Sequence, residues 1–274
     1  MGQKSFKRGD AELAIYENGQ GLPVVFQHGL GGDEAQVAQN VPAAGMHRLT
    51  LECRGHGASS LGNARPFSIQ MFAEDVLAAA TECGFDRFIV GGISMGAAIA
   101  LHLAHHHAHR IAGLVLVRPA WTFEASPDNL APIRTVAALI RSYPVGEAKR
   151  RFVSSEIGRR IAAEAPDNFS SLLGYFDRPD AATFALVLAD IAADGPDVPR
   201  AAAAAFAMPT LIIGNQHDAI HPLSCAQTLA NVIRDASFVE VTAKAIDKGR
   251  HFAEVQDAIA HFLASKTLRS FVPS

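Results

Sequence analysis

The sequence predicts an α/β fold, a mostly parallel, doubly wound sheet with helices on both faces and one inserted helical stretch. Three observations lead there. Short β-branched and aliphatic runs alternate with helical segments at both ends of the chain. The alternation stops between about residues 121 and 207. The pentapeptide Gly92-Ile93-Ser94-Met95-Gly96 lies where a buried strand gives way to an Ala- and Leu-rich helix.

In chain order, residues 11–17 and 24–26 read as early strands, the second followed by Gln27-His28-Gly29-Leu30-Gly31-Gly32-Asp33. Residues 48–51 are another strand, followed by Arg54-Gly55-His56-Gly57-Ala58-Ser59. Residues 69–83 form an amphipathic helix, with Ser68 as N-cap and Gly84 as stop. The strand at 87–91 precedes the pentapeptide, and the helix from 97 to 104 follows it. Further strands are expected at 113–118, 210–214 and 237–241, and a final helix at 252–268. The stretch at 121–207 holds Pro127, Pro132, Pro144, Pro166, Pro179, Pro196 and Pro199 between Ala-rich helical pieces. It reads as a helical cap inserted into a core built from residues 1–120 and 208–274.

Composition narrows the function classes. The chain has 274 residues, 49% of them hydrophobic, enough for one large core. Its net charge of −3 comes without a basic stripe, which argues against nucleic acid as a partner. No apolar run reaches membrane-spanning length, and the N-terminus shows no secretory h-region. Three widely spaced cysteines, Cys53, Cys83 and Cys225, suit reduced thiols and a cytoplasmic protein. A small-molecule substrate and a monomer or homodimer are expected.

The Ser94 pentapeptide is the pattern of a nucleophile elbow. Side chains at 92 and 96 would collide with the neighbouring strand and helix, and the sharp turn strains the serine backbone while exposing its hydroxyl. With His28-Gly29, Arg54-Gly55-His56-Gly57-Ala58-Ser59 and the late acid and histidine segments, the chain resembles the α/β-hydrolase superfamily. The resemblance covers both core portions and breaks across the insertion. It implies the order nucleophile, acid, histidine. Asp218, in Gly214-Asn215-Gln216-His217-Asp218-Ala219-Ile220-His221-Pro222, resembles the family's acid loop; Asp190, Asp194 and Asp247 are weaker candidates. His251, in Lys248-Gly249-Arg250-His251-Phe252, is the expected histidine, although Arg250 stands where the family has Gly.

Ser94, Asp218 and His251 would then form an acyl-transfer relay. The backbone N–H groups of Met95 and Leu30 would form the oxyanion hole. The resemblance implies a hydrolase for a small to medium, mainly apolar ester, lactone or thioester. Carbon–carbon bond hydrolases, perhydrolases and ligand-binding receptors on the same fold are the alternatives. The Arg54 loop, preceded by Glu52 where the family usually has Asp, reads as structural. Trp121 and Phe123, at the start of the insertion, either line an apolar pocket or pack in the core. No cofactor or metal is expected, because no Cys or carboxylate accompanies the cluster His102, His105, His106, His107 and His109.

Overall fold

The computed structural model describes residues 2–42 and 44–265 together with Leu268. The chain begins with β1 (Gly2–Arg8), β2 (Ala11–Gly19) and β3 (Leu22–Gln27), then α1 (Glu34–Asn40), β4 (Met46–Leu51), α2 (Ile69–Glu82), β5 (Phe88–Ile93), α3 (Met95–His106) and β6 (Ile111–Val117). Six helices follow: α4 (Ala131–Ser142), α5 (Val145–Ser154), α6 (Glu156–Glu164), α7 (Pro166–Phe176), α8 (Ala181–Ala193) and α9 (Arg200–Ala204). The core resumes with β7 (Thr210–Gly214), α10 (Leu223–Val232), β8 (Ala236–Glu240) and α11 (Lys248–Leu263).

The described strands form one sheet in the order β1-β2-β4-β3-β5-β6-β7-β8. Pairing is parallel from β4 through β8, whereas β2 runs antiparallel to both β1 and β4. Strands β5, β6 and β7 are buried at every position, as their unbroken apolar runs require of strands covered on both faces. One core packs α2 and α3 along most of their length against one face of the sheet, with Phe72, Val76, Ile99 and Leu103 fully buried. On the other face, Val37 of α1 meets Val255 and Ile259 of α11 over Val24, Val115 and Ile213.

Local chemistry explains several element ends. Asp33 caps α1 by accepting from Gln36 N, and Ser68 caps α2 by accepting from Met71 N. Gly84, at φ 77°, ends α2 in the left-handed region. Helices α1 and α10 were not expected from the sequence, and two further differences have local causes. Strand β1 was not expected, because Gln3-Lys4-Ser5 is polar and the strand is exposed at the sheet edge. Its register is set by Lys4–Glu17 and Ser5–Glu12 across the pair. Helix α11 begins at Lys248 rather than 252, because Asp247 accepts from Arg250 N and starts the helix early. Residues 266 and 267 of the expected last helix lie outside the described residues. No described helix is long and apolar enough to cross a membrane.

Candidate active site

Ser94 stands between β5 and α3 with φ 56° and ψ −109°, a conformation non-glycine residues rarely adopt. The flanking glycines permit it. A Cβ on Gly92 would run into the Gly96 backbone, and one on Gly96 would run into the carbonyl of Gln27. The turn is anchored by Ser94 N donating to Val117 O at 3.0 Å. Ser94 carbonyl accepts from Ala97 N and Ala98 N, so α3 starts directly behind the serine. Met95 N–H opens that helix with no preceding helical carbonyl to bond. Leu30 lines the same cavity as Ser94, and its amide donates to no described acceptor. Both expected oxyanion donors therefore carry free N–H groups.

Three residues form a hydrogen-bonded chain at Ser94. Ser94 Oγ lies 2.8 Å from His221 Nε2, and His221 Nδ1 lies 3.0 Å from Asp218 Oδ1. The Asp218 carboxylate is buried. Its Oδ1 also accepts from His221 N at 2.9 Å, an Asx turn that fixes the three-residue spacing between the two. Its Oδ2 accepts from Arg118 Nε at 2.9 Å and from Arg118 Nη2. Arg118 Nη2 also approaches His221 Nδ1 at 3.2 Å. A guanidinium only donates, so that approach cannot coexist with Nδ1–H donating to Asp218. The carboxylate is the stronger acceptor and lies closer, which leaves Nε2 as the acceptor facing the Ser94 hydroxyl.

Electrostatics follow from this packing. Burial would raise the Asp218 carboxyl, but His221 and Arg118 outweigh it and hold the group well below the usual carboxylate range. Burial, with the Arg118 guanidinium adding to it, lowers the His221 imidazole below its ordinary value despite Asp218. His221 is therefore neutral at pH 7, the form that accepts a proton.

His251 sits elsewhere. It lies in the first turn of α11, fully buried, with Nδ1–H donating to Thr242 O at 2.8 Å and Nε2 without a partner. Burial takes its imidazole down to about 4. The structure thus puts His221, not His251, between Ser94 and Asp218. α11 starts at Lys248 behind the Asp247 cap, so His251 stands in its first turn rather than in the loop before it, one residue after the Arg250 that stands where Gly was expected. The signal that finds His221 is its place three residues after Asp218 and just before Pro222. Among twelve histidines that adjacency carried no weight against the expected late position.

The other expected residues divide clearly. Asp190 and Asp194 accept from Phe67 N and Ile69 N, holding the start of α2, and Asp247 caps α11. Trp121 is buried, its Nε1 donating to Asp194 O at 2.8 Å. Neither Trp121 nor Phe123 is among the described residues that line the Ser94 cavity. Glu52 accepts from Ala58 N and Glu34 N, so the Arg54 loop is tied down by a carboxylate, and Arg54 itself pairs with Asp75. The histidine cluster gains a carboxylate that its local sequence does not show. His102, His106 and Asp197 bring ligand-type atoms within 4.8 Å of one another, about two turns along α3 from Ser94. Both His106 and Asp197 are solvent-exposed, and this group does not reach the Ser94 cavity.

That cavity is about 100 Å³. Ser94, Ile93, Gly29 and Leu30 line it, together with Arg118, His221 and Lys244. The insertion adds Ile133 from α4 and Asp167, Asn168, Leu172 and Tyr175 from α7. Asn168 Oδ1 accepts from Ala219 N at 2.7 Å, which ties α7 to the Asp218 loop. A larger cavity of about 850 Å³ runs along β8 and α11, away from Ser94.

The chain matches the model of the alpha/beta hydrolase fold over residues 23–256. It is 26% identical over 280 residues to pyrrolizixenacetamide deacetylase of Xenorhabdus hominickii, covering 98% of this chain and 97% of that one. It is 24% identical over 243 residues to the AB hydrolase superfamily protein YisY of Bacillus subtilis (strain 168), covering 83% and 85%. Among solved structures, the enol-lactonase from Burkholderia xenovorans LB400 superposes with a TM-score of 0.73 at 22% identity, covering 96% of this chain and all of that one. Sheet order, elbow geometry and a family match over most of the chain agree: this protein belongs to the alpha/beta hydrolase fold family.

Proposed function

We propose that the protein is a serine hydrolase that cleaves a small carboxylic ester, lactone or thioester through an acyl-enzyme. The observation that carries this reading is the 2.8 Å contact from Ser94 Oγ to a neutral His221 whose other nitrogen is held by Asp218. Ser94 Oγ attacks the substrate carbonyl carbon as His221 Nε2 takes its proton. Asp218 stabilises the imidazolium, which matters more than usual because Arg118 stands beside it. The Leu30 and Met95 N–H groups receive the charge that develops on the carbonyl oxygen. His221 then returns the proton to the leaving group, and water repeats the sequence to release the acid.

Residues 121–207 serve in this reading as a lid that shapes the acyl pocket and excludes water. The small cavity favours short acyl groups, and its mixed wall is more polar than the apolar slot expected from the sequence. The relatives, a deacetylase and an enol-lactonase among them, support acyl transfer as the shared chemistry.

The test is labelling by a fluorophosphonate probe with hydrolysis of short-chain esters alongside. Wild type should label at Ser94 and turn over; Ser94→Ala should do neither. Full turnover by Ser94→Ala would overturn the reading.

A further inference from the structure

Lys244 is a cation in the wall of the Ser94 cavity that no carboxylate holds. It follows β8, is half-buried, and lines the cavity together with Ser94 and His221. Among the described residues its Nζ makes no hydrogen bond or ion pair; its recorded neighbour is the Phe252 ring, 5.2 Å from centroid to Nζ. An ammonium half-withdrawn from water with no counter-ion in contact sits there at a cost, which an anion placed beside it would relieve. The cavity's other cation, Arg118, is already bound to Asp218. Asp167 also lines the cavity, but it sits in the first turn of α7, where the helix N-terminus favours its charge, and it is not paired with Lys244.

We infer that Lys244 is an anion subsite and that the acyl substrate carries a carboxylate close to the bond that is cleaved. This rests on the serine hydrolase reading and names the substrate class. The small cavity sets the reach: an acid group must lie within a few bonds of the scissile carbonyl to sit beside Lys244 while that carbonyl meets Ser94. Half-esters of short dicarboxylic acids, and lactones bearing a carboxylate, have that geometry. The charged and titratable groups facing Lys244 are Arg118, Asp167, Asp218, Lys248 and the two histidines His221 and His251. Burial, followed by the Arg118 charge, pushes the Lys244 ammonium down to about 8. The preference for an acid-bearing substrate should therefore fade as pH rises past that value, because neutral Lys244 no longer attracts a carboxylate.

Two measurements test this. The first is calorimetric titration with succinate, which needs no turnover. Wild type should bind it, and Lys244→Met should bind at least about tenfold more weakly, whereas Lys244→Arg should retain most of the affinity. The second compares monomethyl succinate with methyl butanoate. The ratio of their kcat/KM values should favour the acid in wild type and fall at least about tenfold in Lys244→Met, chiefly through KM. Thermal melts establish that each variant is folded. Succinate binding undiminished in folded Lys244→Met, or a wild type that shows no preference for the acid ester, overturns the inference. Failure of the underlying reading is separate: it would show as a Ser94 that fluorophosphonate does not label.

Discussion

Tyr175 of α7 donates its hydroxyl to the carbonyl oxygen of Leu30 at 3.0 Å, joining the inserted helices to the loop that carries one of the two free N–H groups at Ser94. The contact is close on both sides. A Cβ on Gly31, which sits at φ 78°, would press into the Tyr175 ring at 2.6 Å. Through Tyr175 and Asn168, α7 thus touches both the loop after β3 and the Asp218 loop after β7.

If this bond orients the loop, Tyr175→Phe should remove about 1 kcal/mol of stability, the ordinary net value of one hydrogen bond. The kcat for ester hydrolysis should fall by about tenfold with a smaller change in KM, since a displaced oxyanion donor acts mainly in the transition state. Gly31→Ala should be worse, because it combines backbone strain with a clash. Steady-state kinetics on both variants checks this; an unchanged kcat in Tyr175→Phe would remove the orienting role.

The two histidines make a direct comparison. His221→Ala should lower kcat by roughly 10³-fold or more, while His251→Ala should act mainly on stability. In wild type, activity should rise with pH through a midpoint below 6.5. The base must be unprotonated, and burial together with Arg118 lowers the pH at which it loses its proton. A midpoint above 7, or a comparable kcat loss in His251→Ala, would return His251 to the relay.

Arg118 provides a second handle on the same profile. Its charge lowers His221, so Arg118→Met should move the acid limb of the rate profile to higher pH. Because Arg118 and Asp218 form a buried pair, the substitution should also cost about 3–5 kcal/mol, the usual penalty for leaving one partner of such a pair uncompensated. Denaturant melts read the stability and pH-rate profiles read the shift. An acid limb that stays in place would mean that Arg118 acts on stability alone.

Much of this arrangement was legible in the sequence, and the exceptions have physical causes. The elbow was readable because glycine at 92 and 96 is a local steric requirement. The parallel core was readable because β5, β6 and β7 are buried on both faces and so are apolar throughout. β1 escaped because an exposed edge strand needs no apolar alternation. His221 escaped because its role depends on an Asx turn at Asp218 and on where α11 begins, neither of which hydrophobic pattern encodes. Trp121 stood open between pocket and core by its position; its indole N–H found a carbonyl at Asp194 and the ring went into the core.

Acid should unfold the protein early. Burial takes His28 down to about 4, with Nδ1–H bonded to Gly29 O and Nε2 accepting from Cys53 N. In the unfolded chain an ordinary histidine titrates near 6.5. Between those values the unfolded state binds a proton that the folded state refuses. The stabilisation is therefore fully present above about 6.5 and is lost as pH falls toward 4, to the extent of about 3 kcal/mol. His251, also brought down to about 4, works in the same direction. Melting temperature should decline steeply from pH 6.5 to 4.5, and less steeply in His28→Asn. Equal slopes would mean that other groups carry the acid transition.

The inserted helices should separate selectivity from stability at two residues. Leu172 lines the Ser94 cavity, whereas Phe152 of α5 is fully buried among rings of α7, 6.1 Å from Phe169 and 5.7 Å from Phe176 between centroids. Leu172→Ala lengthens the space available to an acyl chain, so it should shift the kcat/KM ratio of butanoate to acetate esters toward the longer chain. The shift should be about 10-fold or more, the 1–3 kcal/mol typical of a few methylene contacts. Phe152→Ala instead opens a cavity remote from the serine. It should cost about 3–5 kcal/mol of stability and leave the acyl preference close to wild type. Trp121→Ala should resemble Phe152→Ala, because Trp121 packs in the core and does not line the cavity. Melts and paired ester kinetics on the three variants decide the matter. If Phe152→Ala or Trp121→Ala reshaped chain-length preference as strongly as Leu172→Ala, α7 would not be the part of the insertion that selects the acyl group.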